Sequence, residues 1–216
     1  HPDLLMHHRL ARPSLVGHTR ARRERHLDDL DRRIDPARRD VAPHVSGGRV
    51  APLQLLVQAG AVPAIDDAGF TLTQNCAILE YLAEKNPEAK LLGGESLKAR
   101  SEARRWLAFC NSDIHKTYSM IFGAARLISD AAGQTELSNN ASERVRDMYK
   151  IVDKHLAGRE WLSDGRSVAD AYLYVTMRWA QAKKIDLSDM PNLQAHFKRM
   201  SADTAVQAAL AAEGLK

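Results

Sequence analysis

At 216 residues and 44% hydrophobic content, the chain is long enough for one large or two small globular domains. No apolar run approaches the roughly eighteen residues a membrane helix needs, and no secretory leader is visible. Two cysteines, Cys76 and Cys110, make neither a disulfide framework nor a metal-ligand spacing, so a reducing cytoplasm is the expected compartment.

The formal net charge of +4 resides in residues 1–50, which hold eleven arginines and seven acids. The rest of the chain is neutral, so a nucleic-acid reading rests on that head alone. Residues 1–69 contain six of the nine histidines, no Phe, Tyr or Trp, and no Lys. Three readings stay open for this stretch: a divergent α/β half with an unusual surface, a basic arm, or a segment read out of frame from a GC-rich gene. The coding DNA separates the third from the others. Nucleic acid is not the expected partner, because no aromatic is available to stack on bases. His7 and His8 lack a third ligand at a useful spacing, and no metal is expected.

Regular structure becomes legible near residue 58. Residues 62–65 form a short apolar run, 66–69 have turn composition, and 70–72 suit a second short strand, so the pair predicts a hairpin. Pro63 cannot donate to a ladder and belongs at an edge or a cis turn. Thr73 suits an N-cap. Ala77, Ile78, Tyr81 and Leu82 recur at helical spacing, and Asn86-Pro87 ends that helix. Gln74 and Asn75 stand where free N–H groups and the positive dipole end favour a carboxylate. An edge beside Pro63 would pair with an extended ligand. A small peptide with a free carboxylate fits both features.

Residues 85–97 read as a linker, and 98–216 as all helical. Ala99, Ala103, Trp106, Leu107, Cys110 and Ile114 predict one buried stripe; Val145, Met148, Ile151 and Val152 predict another. Ser167 and Asp170 have the spacing of a capping box. They open an apolar helix through Ala171, Tyr172, Leu173, Val175 and Trp179. Met190-Pro191 punctuates, a helix follows from Leu193, and a short one runs through residues 205–212. Asp113 and His115 are two apart on a helix, so they do not form a dyad.

Val62-Pro63-Ala64, the hairpin, and Gln74-Asn75-Cys76-Ala77-Ile78 resemble the glutathione-binding half of a bacterial beta-class glutathione S-transferase. Ser167-Val168-Ala169-Asp170-Ala171-Tyr172-Leu173, Arg178-Trp179-Ala180 and the ending Ala212-Glu213-Gly214-Leu215-Lys216 are similar to that family's helical domain. The resemblance covers about residues 58–216; residues 1–57 do not match. It implies an α+β thioredoxin-like domain over residues 1–84, incomplete or divergent at its start, followed by the helical-bundle domain. It implies that Pro63 is cis, that Val62 pairs with the cysteinyl part of glutathione, and that Gln74 and Asn75 hold the γ-glutamyl carboxylate. Ser112-Asp113-Ile114-His115-Lys116 is similar to the segment lining the family's interdomain cleft. That places Ser112 and Asp113 near the glutathione backbone, with His115 and Lys116 near the sulfur and His115 as the catalytic candidate. In the family, the capping box of Ser167 and Asp170 serves folding.

The implied activity is detoxifying attack of glutathione thiolate, as co-substrate, on electrophilic and mostly apolar compounds, by a homodimer. The family's sulfur-stabilising residue would lie near the chain start, where Ser14 is the least poor candidate. The alternative is a non-catalytic glutathione- or ligand-binding protein on the same scaffold.

Overall fold

The structure is a computed structural model that describes residues 63–215. Val62, Ser14 and the arginine-rich head lie outside the described residues.

The described chain opens on an antiparallel hairpin of β1 (Ala64–Asp67) and β2 (Phe70–Thr73), in register from Ala64 opposite Thr73 to Asp67 opposite Phe70. Ala68 and Gly69 form the two-residue turn, with φ of 53° and 91°. Positive φ at both positions matches the right-handed strand twist. Asp66 Oδ1 accepts from Gly69 N at 3.3 Å. The two aspartates belong to the strand, which runs two residues beyond the expected turn boundary.

Helix α1 (Asn75–Lys85) follows directly. Its N-cap is Gln74 and not Thr73, because Thr73 is held in the ladder opposite Ala64. The chain reverses in one residue, with Gln74 at φ 73°, ψ 113°. Ile78 and Ala83 are the buried residues of α1, whereas Leu82 is exposed. Tyr81 leans on Phe70 and donates to Asp67 Oδ2 at 2.5 Å, tying helix to hairpin. Asn86 closes the helix ahead of a 3₁₀ turn at Pro87–Ala89.

Residues 90–96 are pinned to the helical part of the chain. Leu92 bridges Ser167, Val168 N donates to Leu91 O at 3.0 Å, and Gly165 N donates to Gly93 O at 3.0 Å. Gly93 has φ +81°, and a Cβ there would meet Ala103 Cβ at 2.6 Å and Ser163 Oγ at 2.9 Å. Only glycine fits that approach.

Helix α2 (Leu97–Phe109) is capped by Ser96, whose side chain accepts from Ala99 N. It runs into a π-helical turn (Cys110–His115) and then α3 (Lys116–Leu127). Helix α4 (Ala131–His155) packs along α3; α5 (Val168–Ala182), α6 (Pro191–Ser201) and α7 (Thr204–Ala212) complete the bundle. The core joins Trp106, Leu107, Cys110 and Ile114 to Tyr118, Val145, Tyr149, Val152, Leu173 and Leu193. On α4 the buried positions are Ala141, Val145, Met148, Tyr149 and Val152. This phase leaves Ile151 exposed, unlike the expected stripe. Val175 on α5 is likewise exposed, because Tyr174, Thr176 and Met177 occupy the inward positions.

Asp170 organises the centre. Its Oδ2 accepts from Ser167 N and Ser167 Oγ, each at 2.8 Å, and its Oδ1 accepts from Leu162 N at 3.0 Å. His196 Nε2 lies 2.9 Å from Oδ1, and both side chains are fully buried. Ser167 Oγ in turn accepts from Ala169 N at 3.2 Å. A carboxylate tolerates such burial only when its lone pairs are filled by donors, and here they are.

Candidate functional site: a tyrosine hydroxyl shared by two elements

Helix α5 and the π-helical turn meet at one tyrosine hydroxyl. Tyr172 stands on the second turn of α5, held there by the Ser167–Asp170 cap. Its ring is 6% exposed. Its hydroxyl donates to Asn111 Oδ1 at 3.1 Å and lies 2.5 Å from His115 Nδ1, both on the π-helical turn. The Asn75 side chain, on the first residue of α1, bears electrostatically on the same phenol and favours its ionised form. Burial pushes the Tyr172 phenol up to about 12, against a downward pull from the Asn75 amide, so it is protonated at neutral pH.

The wide turn explains why His115 and Asn111 meet there. They are four apart, so both project to one side. The π-helical turn ends at His115, and the backbone returns to α-helix at Lys116. Single π turns inside α-helices are frequent at functional sites.

His115 is flanked by aromatic rings. Its ring meets Trp179 edge-on at 4.7 Å between centroids and Tyr172 at 5.9 Å. Trp179 in turn meets Tyr118 at 5.4 Å and Phe122 at 5.7 Å. His115 keeps an exposed edge, yet desolvation beside these rings holds its pKa below the ordinary 6.5, so the imidazole is neutral at pH 7. Among the described residues, no hydrogen bond is made by His115 Nε2.

At the start of α1 the first turn carries no acid, and Ile78 N is the first amide bonded back, to Gln74 O at 2.9 Å. The N–H groups of Asn75, Cys76 and Ala77 therefore precede the first intrahelical bond, at the positive end of the helix. Gln74 is exposed, and Pro63 is exposed immediately before β1. The backbone at Gln74 is unusual for a residue with a Cβ, and such positions cluster at ligand sites.

The remaining candidates are arranged differently. Ser112, Asp113 and Lys116 are exposed on the turn and its exit, as His115 is, but the hydroxyl of Tyr172 bonds only Asn111 and His115 of this turn. Asp113 uses its backbone carbonyl to accept from Thr117 Oγ1 at 2.8 Å. Cys76 Sγ donates to Leu107 O at 3.9 Å, and burial raises its pKa, with Glu80 adding to the rise. Burial raises Cys110 further. Neither is an activated thiol.

Among the described residues there is no group of three or more His, Cys, Asp or Glu able to hold a metal, and no helix long and apolar enough to cross a membrane. Two surface concavities of about 410 and 390 Å³ lie elsewhere, one against Met177, Ile185 and Leu187, the other against Tyr174, Phe197 and Leu215.

From the sequence, Asn75 and His115 were singled out as candidates, Tyr172 was placed only in an apolar helix, and Asn111 was not singled out. The four-residue spacing of Asn111 and His115 was the available signal. The meeting of α1 with α5 was not readable from spacing.

Hairpin, capped buried helix and helical bundle define a two-domain, thioredoxin-like plus all-helical class, and known proteins place the chain within it. The sequence profile of "Glutathione S-transferase, C-terminal domain" matches residues 114–203. A glutathione S-transferase of Xanthomonas campestris pv. campestris is 45% identical over 158 residues, covering 73% of this chain and 78% of the relative. A glutathione S-transferase structure from Xylella fastidiosa superposes with a TM-score of 0.72 at 46% identity, covering 75% of this chain and 80% of that one. Two sphingomonad structures each cover 76% of this chain and 79% of their own. The first, described as bacterial beta class from Sphingomonas chungbukensis, gives TM-score 0.66 and 35% identity; the second, complexed with glutathione, gives 0.65 and 36%. The chain belongs to the glutathione S-transferase family.

Proposed function

We propose that this chain binds glutathione across the start of α1 and the π-helical turn, and conjugates its thiolate to electrophilic, mostly apolar compounds. The observation that carries this is the Tyr172 hydroxyl, which holds His115, an imidazole suited to a thiol, while Asn75 opens a helix start suited to a carboxylate. One small peptide carrying both groups satisfies both ends, and the glutathione-bound sphingomonad relative supports that ligand.

In this reading Gln74 and Asn75 hold the γ-glutamyl carboxylate, and Val62, beside Pro63, pairs with the cysteinyl backbone. Ser112, Asp113 and Lys116 line the cleft. His115 raises the thiolate fraction, and the face formed by Trp179 and Phe122 receives the apolar electrophile. The enzyme contributes position and a lowered thiol pKa, the two demands of nucleophilic substitution by sulfur. The working protein is a cytoplasmic homodimer with a role in detoxification, built from a thioredoxin-like domain (residues 1–84), a linker (85–97) and a helical domain (98–216).

The test is steady-state turnover of an activated aryl chloride with glutathione. The expected result is saturable conjugation, with kcat reduced about 10²-fold or more in His115→Ala, the usual scale for losing a proton-transfer group. Glutathione binding without conjugation by the unaltered chain would contradict it in favour of a binding role.

A further inference from the structure

We propose that Tyr172 is a positioning residue that sets the tautomer of His115, holding the proton on Nδ1 and leaving Nε2 as the atom that accepts the glutathione thiol proton. The inference rests on the functional reading above for its substrate, and on hydrogen-bond arithmetic for its substance.

A tyrosine hydroxyl has one proton and two acceptor lone pairs. The Tyr172 hydroxyl has two hydrogen-bonding neighbours, Asn111 Oδ1 and His115 Nδ1. Asn111 Oδ1 is an acceptor only, so it takes the hydroxyl proton. His115 Nδ1 then faces an oxygen lone pair and bonds it only by carrying a hydrogen. The alternative tautomer would set the bare Nδ1 lone pair against a hydroxyl whose proton is already committed, beside the rings of Tyr172 and Trp179. With Asn111 Oδ1 facing the hydroxyl, the arrangement that pairs every atom is His115 Nδ1–H to Tyr172 O and Tyr172 O–H to Asn111 Oδ1.

The consequence is chemical. With Nδ1 protonated in the neutral ring, Nε2 carries the basic lone pair and has no hydrogen-bond partner among the described residues. The S–H bond of glutathione breaks, its proton forms an N–H bond at Nε2, and the electron pair stays on sulfur as the attacking thiolate. The resulting imidazolium keeps its Nδ1–H bond to Tyr172, so the ring does not turn during the transfer.

Imidazole tautomers are read directly from long-range ¹H–¹⁵N correlation spectra of the full chain at pH 7.5, with the His115 signal assigned by its loss in His115→Gln. The unaltered chain is expected to show the Nδ1–H pattern. Asn111→Leu removes the acceptor of the Tyr172 proton, so the hydroxyl turns to donate to Nδ1, and His115 is expected to switch to the Nε2–H form. kcat for conjugation should then fall about tenfold or more with KM for the aryl chloride unchanged. Tyr172→Phe is expected to switch the tautomer as well; if it fails to fold, Asn111→Leu stands as the test. An Nε2–H pattern in the unaltered chain overturns the proposal. So does Nδ1–H surviving in Asn111→Leu, or a switched tautomer with kcat unchanged. The spectra need no turnover, so an inactive but Nδ1–H wild type would refute the transferase reading while leaving the tautomer assignment intact.

Discussion

Gln74 occupies backbone space that side chains rarely enter, at φ 73° and ψ 113°, and it does so between a strand and a helix start. Such strain costs about 1–3 kcal/mol. Glycine would release it while adding roughly 0.5–1 kcal/mol of unfolded-chain entropy. Gln74→Gly is therefore expected to raise Tm by a few degrees, on the scale of about 2–4 °C per kcal/mol for a chain of this length. By calorimetry it should also weaken glutathione binding about tenfold, through loss of one hydrogen bond to a charged group. His115 makes the second residue-scale prediction. Burial depresses its pKa from 6.5, so the base is neutral above that value and protonates only as pH falls through the lowered pKa. The pH profile of kcat/KM should thus be insensitive to this group at pH 7 and show an acid limb below 6.5 that is absent in His115→Ala. A limb above pH 7 that vanishes in the variant would contradict a neutral base.

At the scale of elements, the cap of α5 does more than start a helix. The Asp170 carboxylate satisfies Ser167 N, Ser167 Oγ, Leu162 N and His196 Nε2 at once, joining α5 to α6 and to the preceding loop. Ser167→Ala removes one cap and is expected to cost about 1 kcal/mol, up to about 2. Asp170→Ala strands four polar partners in a fully buried setting and is expected to cost about 3–5 kcal/mol, seen as a fall in Tm of about 10 °C or more. Urea midpoints for the two variants check the ordering. The capping-box spacing was visible in the sequence because it is local. The stripe on α2 was visible for the same reason: Ala99, Ala103, Trp106 and Leu107 recur at helical spacing and all are buried. The π-helical turn was not visible, since widening by one residue leaves no composition signal. Ile151 and Val175 were misplaced because each sits one position off a stripe whose phase is set by bulkier neighbours, Tyr149 and Tyr174. Tyr172 read as one more apolar residue because its partners come from residues 57 and 61 positions earlier in the chain.

For the whole molecule, family membership was legible in residues 58–216 from motifs at the hairpin, the α1 start and the α5 cap, while long-range placement of the site was not. The proposed homodimer predicts a sedimentation mass of twice the 24.0 kDa chain, independent of glutathione; a single-chain mass at micromolar concentration would contradict it. In the proposed function, the start of α1 and the turn bearing His115 form one glutathione site. Calorimetric titration of the full chain with glutathione, beside Asn75→Ala, measures this. Saturable one-site binding is expected, weakened about 10- to 100-fold in the variant, the scale of a lost hydrogen bond to a carboxylate. Absence of binding to the unaltered chain, or equal affinity in Asn75→Ala, would contradict it.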